Sequence, residues 1–141
     1  MGLENVMLTP EMDSNDNPVG TISQFYAEKC IFITGVTGFV GKLLLHKLLD
    51  SCPMLERIYV LIRPKRDDLP QVRLDKLFDQ PLFKNLKETN ASSFNKVSAI
   101  TGDITLPRLG MSDDDIDMVI EKTSVVFHSA ATVRFDEELR K

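Results

Sequence analysis

Three glycines, at positions 35, 38 and 41, constrain this chain more than any other feature. They stand in Thr34-Gly35-Val36-Thr37-Gly38-Phe39-Val40-Gly41, between a mostly apolar run, Cys30-Ile31-Phe32-Ile33-Thr34, and a stretch from Val40 to Asp50. The run lacks polar alternation, as a parallel strand covered on both faces does. In the stretch, Lys42, His46 and Asp50 recur on one polar face while Val40, Leu44 and Leu48 line another, which is a helical period. In such a strand–turn–helix unit the first glycine allows a tight turn. The second lets backbone approach a pyrophosphate, and the third lets helix and strand pack closely. The free N–H groups and dipole at the helix start then attract phosphate. A glycine turn used only for packing is the competing reading, and the flanking strand and helix are the context that favours the phosphate site.

Strands and helices alternate downstream. Arg57 to Ile62 reads as a second strand, ended by Arg63-Pro64, and a helix is expected near Gln71 to Asp79. Pro81 interrupts, with further helical turns over Leu82 to Lys87, and Lys96 to Thr101 is a third strand. Ser112 suits a helix N-cap, followed by Asp113, Asp114 and Asp115 in the favourable first turn and a buried stripe of Ile116, Val119 and Ile120. Ser124 to His128 is a fourth strand, and Lys141 falls inside a following helix. The order βαβαβαβ implies an α/β fold, a doubly wound parallel sheet of Rossmann-like type with its first four strands ordered 3-2-1-4. That order leaves the apolar fourth strand at an edge, so the sheet is expected to be incomplete or to need a partner.

Composition removes several function classes. Residues 1–24 carry Glu4, Glu11, Asp13 and Asp16 and no Lys or Arg, and are expected to form a disordered acidic tail ahead of a domain over 25–141. From Gln24 onward, 17 basic residues face 17 acidic ones, so there is no basic field for a nucleic acid. The longest uncharged stretch is the twelve residues Cys30 to Gly41, short of the roughly 20 that a membrane span needs. Two cysteines make no disulfide framework and no signal peptide is evident, which points to a reducing compartment. With only two histidines besides, scattered in sequence, no metal site is expected.

The end of the second strand decides between dinucleotides. An acidic residue there would bind the ribose hydroxyls of NAD, but this chain has Arg63, followed by Pro64, Lys65 and Arg66. A guanidinium pairs with a 2′-phosphate through two hydrogen bonds, so NADP(H) is favoured. The competing reading is a solvated basic loop balanced by Asp67 and Asp68. Asp103, after the third strand, suits the adenine amino group with Ile104 against the ring, or is a turn-forming Asp after Gly102. After the fourth strand, Ser129, Ala130 and Ala131 are small enough for backbone to approach a nicotinamide ribose, and His128 reads as a satisfied imidazole rather than a catalyst.

The spacing Gly-x-x-Gly-x-x-Gly resembles the extended short-chain dehydrogenase/reductases. More specifically, Ile31 to Lys42, Ser51-Cys52-Pro53, Ile58 to Lys65, Pro81-Leu82-Phe83, Gly102-Asp103-Ile104 and Val126 to Glu137 resemble the alcohol-forming fatty acyl-CoA reductases, in that family's order. The resemblance implies NADPH as donor, long-chain fatty acyl-CoA as substrate, and two hydride transfers through an aldehyde level to a primary alcohol. It implies that Gly35, Gly38, Phe39, Val40 and Gly41 surround the pyrophosphate, that Thr34 and Thr37 are among the cofactor-binding residues, and that Arg63 meets the 2′-phosphate. It implies Asp103 and Ile104 at the adenine, with Ala130 and Ala131 near the nicotinamide ribose. It also implies an intracellular place at peroxisomal or endoplasmic-reticulum membranes. The chain departs from the family in one respect: Tyr26 is followed four residues on by Cys30 and Tyr59 by Arg63, so the Tyr-x-x-x-Lys pair is absent. The expectations are thus the coenzyme-binding front of a reductase, a non-catalytic dinucleotide-binding module, or another extended reductase such as a sugar epimerase. The segment from His128 to Glu137 argues against the last.

Overall fold

The computed structural model describes residues 20–66 and 68–131. Four parallel strands lie in the order β3-β2-β1-β4. They are β1 (Cys30–Thr34), β2 (Arg57–Ile62), β3 (Val97–Thr101) and β4 (Thr123–His128). The register sets Phe32 beside Tyr59 on one flank and Val126 on the other. Helices cover both faces, as the α/β reading requires.

The first face carries the larger core. Ile31, Ile33, Ile58, Val60 and Ile62 project from the sheet onto Leu45, Leu48 and Leu49 of one helix and Leu74 and Leu77 of another. These helices are α2 (Phe39–Ser51) and α3 (Pro70–Phe78), with α4 (Pro81–Thr89) completing the layer through Phe83 and Leu86. Phe83 is fully buried and meets Phe78 edge to face at 5.4 Å, a favoured aromatic geometry. Both prolines open their helices at the first turn, where a missing N–H costs nothing. Pro81 is therefore a start signal rather than an interruption, and α4 runs on to Thr89.

A single-turn helix, α1 (Ile22–Tyr26), precedes β1. Thr21 and Gln24 form its reciprocal capping box, each accepting from the other's backbone N–H. Tyr26 packs toward Phe127 of β4 at 6.3 Å. The tail boundary at residue 24 thus falls inside a helix, and only residues 20 and 21 precede it among those described. The rest of the tail, Asp67, and the segment from Thr132 to Lys141 lie outside the described residues.

The second face is thinner. Cys30, Phe32, Tyr59, Leu61 and Ile100 meet Leu109, Met111, Met118 and Val119, the last two from α5 (Asp113–Lys122). Ser112 caps α5 as expected, accepting from the Asp115 N–H at 3.1 Å. The stripe on α5 is only partly buried: Ile116 and Val119 are half-buried, but Ile120 is 74% exposed. The cause lies in β4, an edge strand whose Val126, on the same face as Phe32, is 61% exposed.

Candidate functional site

Backbone conformation explains two of the three glycines. Gly35 has φ +76°, a left-handed conformation that side chains disfavour, and a Cβ there would overlap the backbone of Ser129 and Ala130. Gly41 is buried, and a Cβ there would overlap the Gly35 carbonyl and come within 2.8 Å of Val36 Cα. Gly38 differs. Its φ is −80°, open to any residue, and a Cβ would meet nothing closer than the Gly35 oxygen at 3.3 Å. Folding therefore demands glycine at 35 and 41 but scarcely at 38, which, like Gly35, opens onto a cleft.

That cleft, of about 540 Å³, lies at the C-terminal ends of the strands. Gly35, Thr37 and Gly38 form one wall, Ala130 and Ala131 another. Arg63 enters from the end of β2, and Asp103 and Ile104 from the end of β3. Crevices outside the carboxyl ends of parallel strands, where the strand order reverses, are where such folds bind ligands. At the cleft's wall the first intrahelical bond of α2 runs from Lys42 N to Gly38 O at 3.1 Å. The N–H groups of Phe39, Val40 and Gly41 precede that ladder, and Gly38 offers no side chain to cap them. The side chains of Phe39 and Val40 are 73% and 64% exposed and do not line the cleft. Thr34 and Gly41 also stand outside its lining, as supports.

Thr34 ties the turn to β4. It is 2% exposed, and its Oγ1 shares a 2.7 Å hydrogen bond with His128 Nδ1. Its carbonyl accepts from the Ser129 hydroxyl at 2.6 Å and the Ser129 N–H at 3.2 Å. His128 is exposed but has the hydrogen bond expected of a satisfied imidazole.

The charged groups meet at the ends of β2 and β3. Arg73, on the first turn of α3, lines it beside Arg63 and donates to the Arg63 carbonyl. No motif at the end of β2 pointed to Arg73; it reaches the cleft because α3 folds back across that strand end. Asp68 pairs with Lys76 at 2.6 Å, so its carboxylate is engaged away from Arg63. Arg63 instead lies 3.7 Å from Asp103, with its own side chain 65% exposed. The Thr105 N–H and hydroxyl, and to a lesser degree Arg63, hold the Asp103 carboxyl below the usual carboxylate range, against the opposing push of burial.

A family model described as "Male sterility protein", for an NAD-binding family, matches residues 33–141. The chain belongs to this family. It is 44% identical over 120 residues to mouse fatty acyl-CoA reductase 1, covering 85% of this chain and 23% of that protein. It is 41% identical over 122 residues to human fatty acyl-CoA reductase 2, covering 86% of this chain and 24% of that one. The chain therefore spans about a quarter of the length of these curated relatives. Among solved structures it is similar to the reductase domain of a non-ribosomal peptide synthetase from Mycobacterium tuberculosis, with TM-score 0.61 and 30% identity over 74% of this chain and 24% of that one. The terminal R domain of the myxalamid PKS-NRPS pathway matches with TM-score 0.59 and 28% identity over 77% of this chain and 26% of that one. The fold is thus that of an oxidoreductase domain for a nicotinamide dinucleotide, and the glycine turn, cleft and charge placement fit that class of cofactor.

Two outcomes follow from this geometry. Gly41→Ala is expected to cost about 1–3 kcal/mol of stability through overpacking, and Gly38→Ala to stay within about 1 kcal/mol of the parent, both read by equilibrium urea unfolding. Asp103 has its folded pKa below its unfolded one, so it contributes stability that is present above the ordinary carboxylate range and lost as pH falls through the folded value. The urea-midpoint gap between the parent and Asp103→Asn is therefore full at neutral pH and closes in acid; a gap that persists unchanged into strong acid would contradict this.

Proposed function

We propose that the chain is the NADPH-binding front of a reductase that converts long-chain fatty acyl-CoA to the primary alcohol. The observation that carries the reading is the pairing of Arg63 and Arg73 at one end of a cleft whose other wall is a glycine turn against a helix start. NADPH held by these residues would supply hydride, one per molecule, so two molecules would be consumed: the first reduction would release CoA to the aldehyde level and the second, with a proton, would give the alcohol. The identity to named fatty acyl-CoA reductases supports the substrate class.

The chain's own residues bind and orient. The N–H groups of Phe39, Val40 and Gly41, ahead of the α2 ladder, are donors for the pyrophosphate, while Gly35 and Gly38 keep side chains out of its way. Thr34 and Thr37 flank that turn, the first holding it to β4 and the second lining the cleft. Arg63 takes the 2′-phosphate with Arg73 beside it. Its contact with Asp103 is long and exposed, so little is lost when it turns to phosphate. Asp103 and Ile104 receive the adenine. Ala130 and Ala131 let the nicotinamide ribose approach the end of β4.

Proton donation falls outside these residues. Tyr59 is buried within the sheet and Tyr26 packs under β4, and neither lines the cleft. Their lack of a lysine four residues on favours a second reading, a dinucleotide-binding module without turnover of its own.

Calorimetric titration of the 141-residue chain tests both. NADPH is expected to bind more tightly than NADH. Arg63→Ala should weaken NADPH by roughly tenfold to a hundredfold, the worth of charge-assisted hydrogen bonds, and leave NADH within about twofold. Equal losses would remove the 2′-phosphate from Arg63. The chain alone is expected not to oxidise NADPH in the presence of a long-chain acyl-CoA, and turnover would overturn that expectation.

A further inference from the structure

Asp103 is held more firmly than an isolated residue after a strand would be. Its N–H donates to the Leu109 carbonyl at 2.7 Å, and its carbonyl accepts from Leu106 at 3.0 Å. The first bond is possible because Arg108, Leu109 and Gly110 take φ values of +53°, +58° and +59° in succession, a left-handed turn that returns the chain to Asp103. Two of the three are not glycine, so the turn runs against intrinsic preference and needs support. The 2.7 Å pair between Arg108 and Asp113 supplies some, tying the turn to the start of α5. Gly102 completes the fit, since a Cβ there would stand 2.6 Å from the Leu109 oxygen and overlap Leu61.

The side chain is equally constrained. Asp103 Oδ1 accepts from both the Thr105 N–H at 2.9 Å and the Thr105 hydroxyl at 2.8 Å. Among the described residues Oδ2 has one ion-pair partner, Arg63, at 3.7 Å. One carboxylate oxygen is thus committed to the loop and the other faces the cleft from a fixed position. A carboxylate oxygen can only accept. Adenine offers it the 6-amino group. Hypoxanthine offers a 6-oxo oxygen, whose lone pairs meet the anion, and places its nearest donor, N1–H, further along the ring edge.

We propose that Thr105 is the residue that sets base choice in this cleft. Its N–H bond to Oδ1 is one any residue but proline could make; its hydroxyl adds the second bond that stops the carboxylate from rotating toward the N1–H of an oxo-purine, so the Oδ2 position serves only an amino-purine. Thr105 is a positioning residue acting through Asp103. The inference rests on the coenzyme reading above and deepens it.

The experiment uses the 141-residue chain and two probes, NADPH and its deaminated form, reduced nicotinamide hypoxanthine dinucleotide phosphate, with dissociation constants from calorimetry. The parent is expected to prefer the adenine form by about tenfold or more, the scale of a hydrogen bond to a charged group. Thr105→Val, a near-isostere at an exposed position, should keep NADPH binding within about fivefold and bring the preference below about threefold. Thr105→Ser, which restores the hydroxyl, should restore the preference. Unchanged melting temperatures exclude a folding effect, and a purely structural role for Thr105 would weaken both probes alike. A preference that survives Thr105→Val overturns the inference while leaving the Asp103 reading intact. A parent that binds both probes equally overturns Asp103 as the adenine partner along with it. A parent that binds neither probe overturns the coenzyme reading itself.

Discussion

Three segments converge on the main chain of Gly35, and the rest of the site depends on that convergence. Its carbonyl accepts from Gly38 N at 3.0 Å, and Gly41 of α2 packs against the same oxygen. On its other side lie Ser129 and Ala130 at the exit of β4. A side chain at Gly35 would separate all three. Thr34 reinforces the junction from below through His128 and Ser129. The helix start and the loop after β4 therefore keep a fixed distance, the preorganisation that a binding cleft needs.

Local placement of charge, rather than net charge, differentiates the cleft. From Gln24 onward acids and bases balance. Within the cleft, however, Arg63 and Arg73 sit at the end of β2 and Asp103 at the end of the neighbouring β3, with Arg63 3.7 Å from the Asp103 carboxylate. A cationic group thus stands beside a fixed acceptor in one cleft. Focused fields of this kind arise in clefts with low-dielectric walls and do not require a charged protein. The left-handed turn over Arg108 to Gly110 belongs to the same design, because it holds the acceptor in place.

Among the described residues the two sheet faces are asymmetric. The first face is closed by α2, α3 and α4, with Phe83 and Leu45 fully buried. The second leaves Ile120 and Val126 largely exposed beside an edge strand. The sequence marks both residues as core by their type and spacing, and they become core only when another layer lies over them. Periodicity reports which face of an element is apolar; it carries no information on whether a partner has arrived.

The amino-acid order by itself determined the alternation of strands and helices, the parallel 3-2-1-4 sheet and the position of the glycine turn, because these follow from local period, handed crossovers and glycine's freedom at positive φ. It also placed Arg63 and Asp103 at strand ends, where the fold exposes them to a common crevice. It did not reveal Pro81 as a helix start, since proline breaks a helix or opens one according to what precedes it. The capping box at Thr21 and Gln24 was legible but lay in a stretch dominated by its acidic composition. Only tertiary structure brought Arg73 beside Arg63, joined Thr34 to His128 across 94 positions and gave Thr105 its hold on one oxygen of Asp103. Arg73 and His128 depend on how separate elements pack, and Thr105 on how a loop closes. None of these is written in the spacing of residues along the chain.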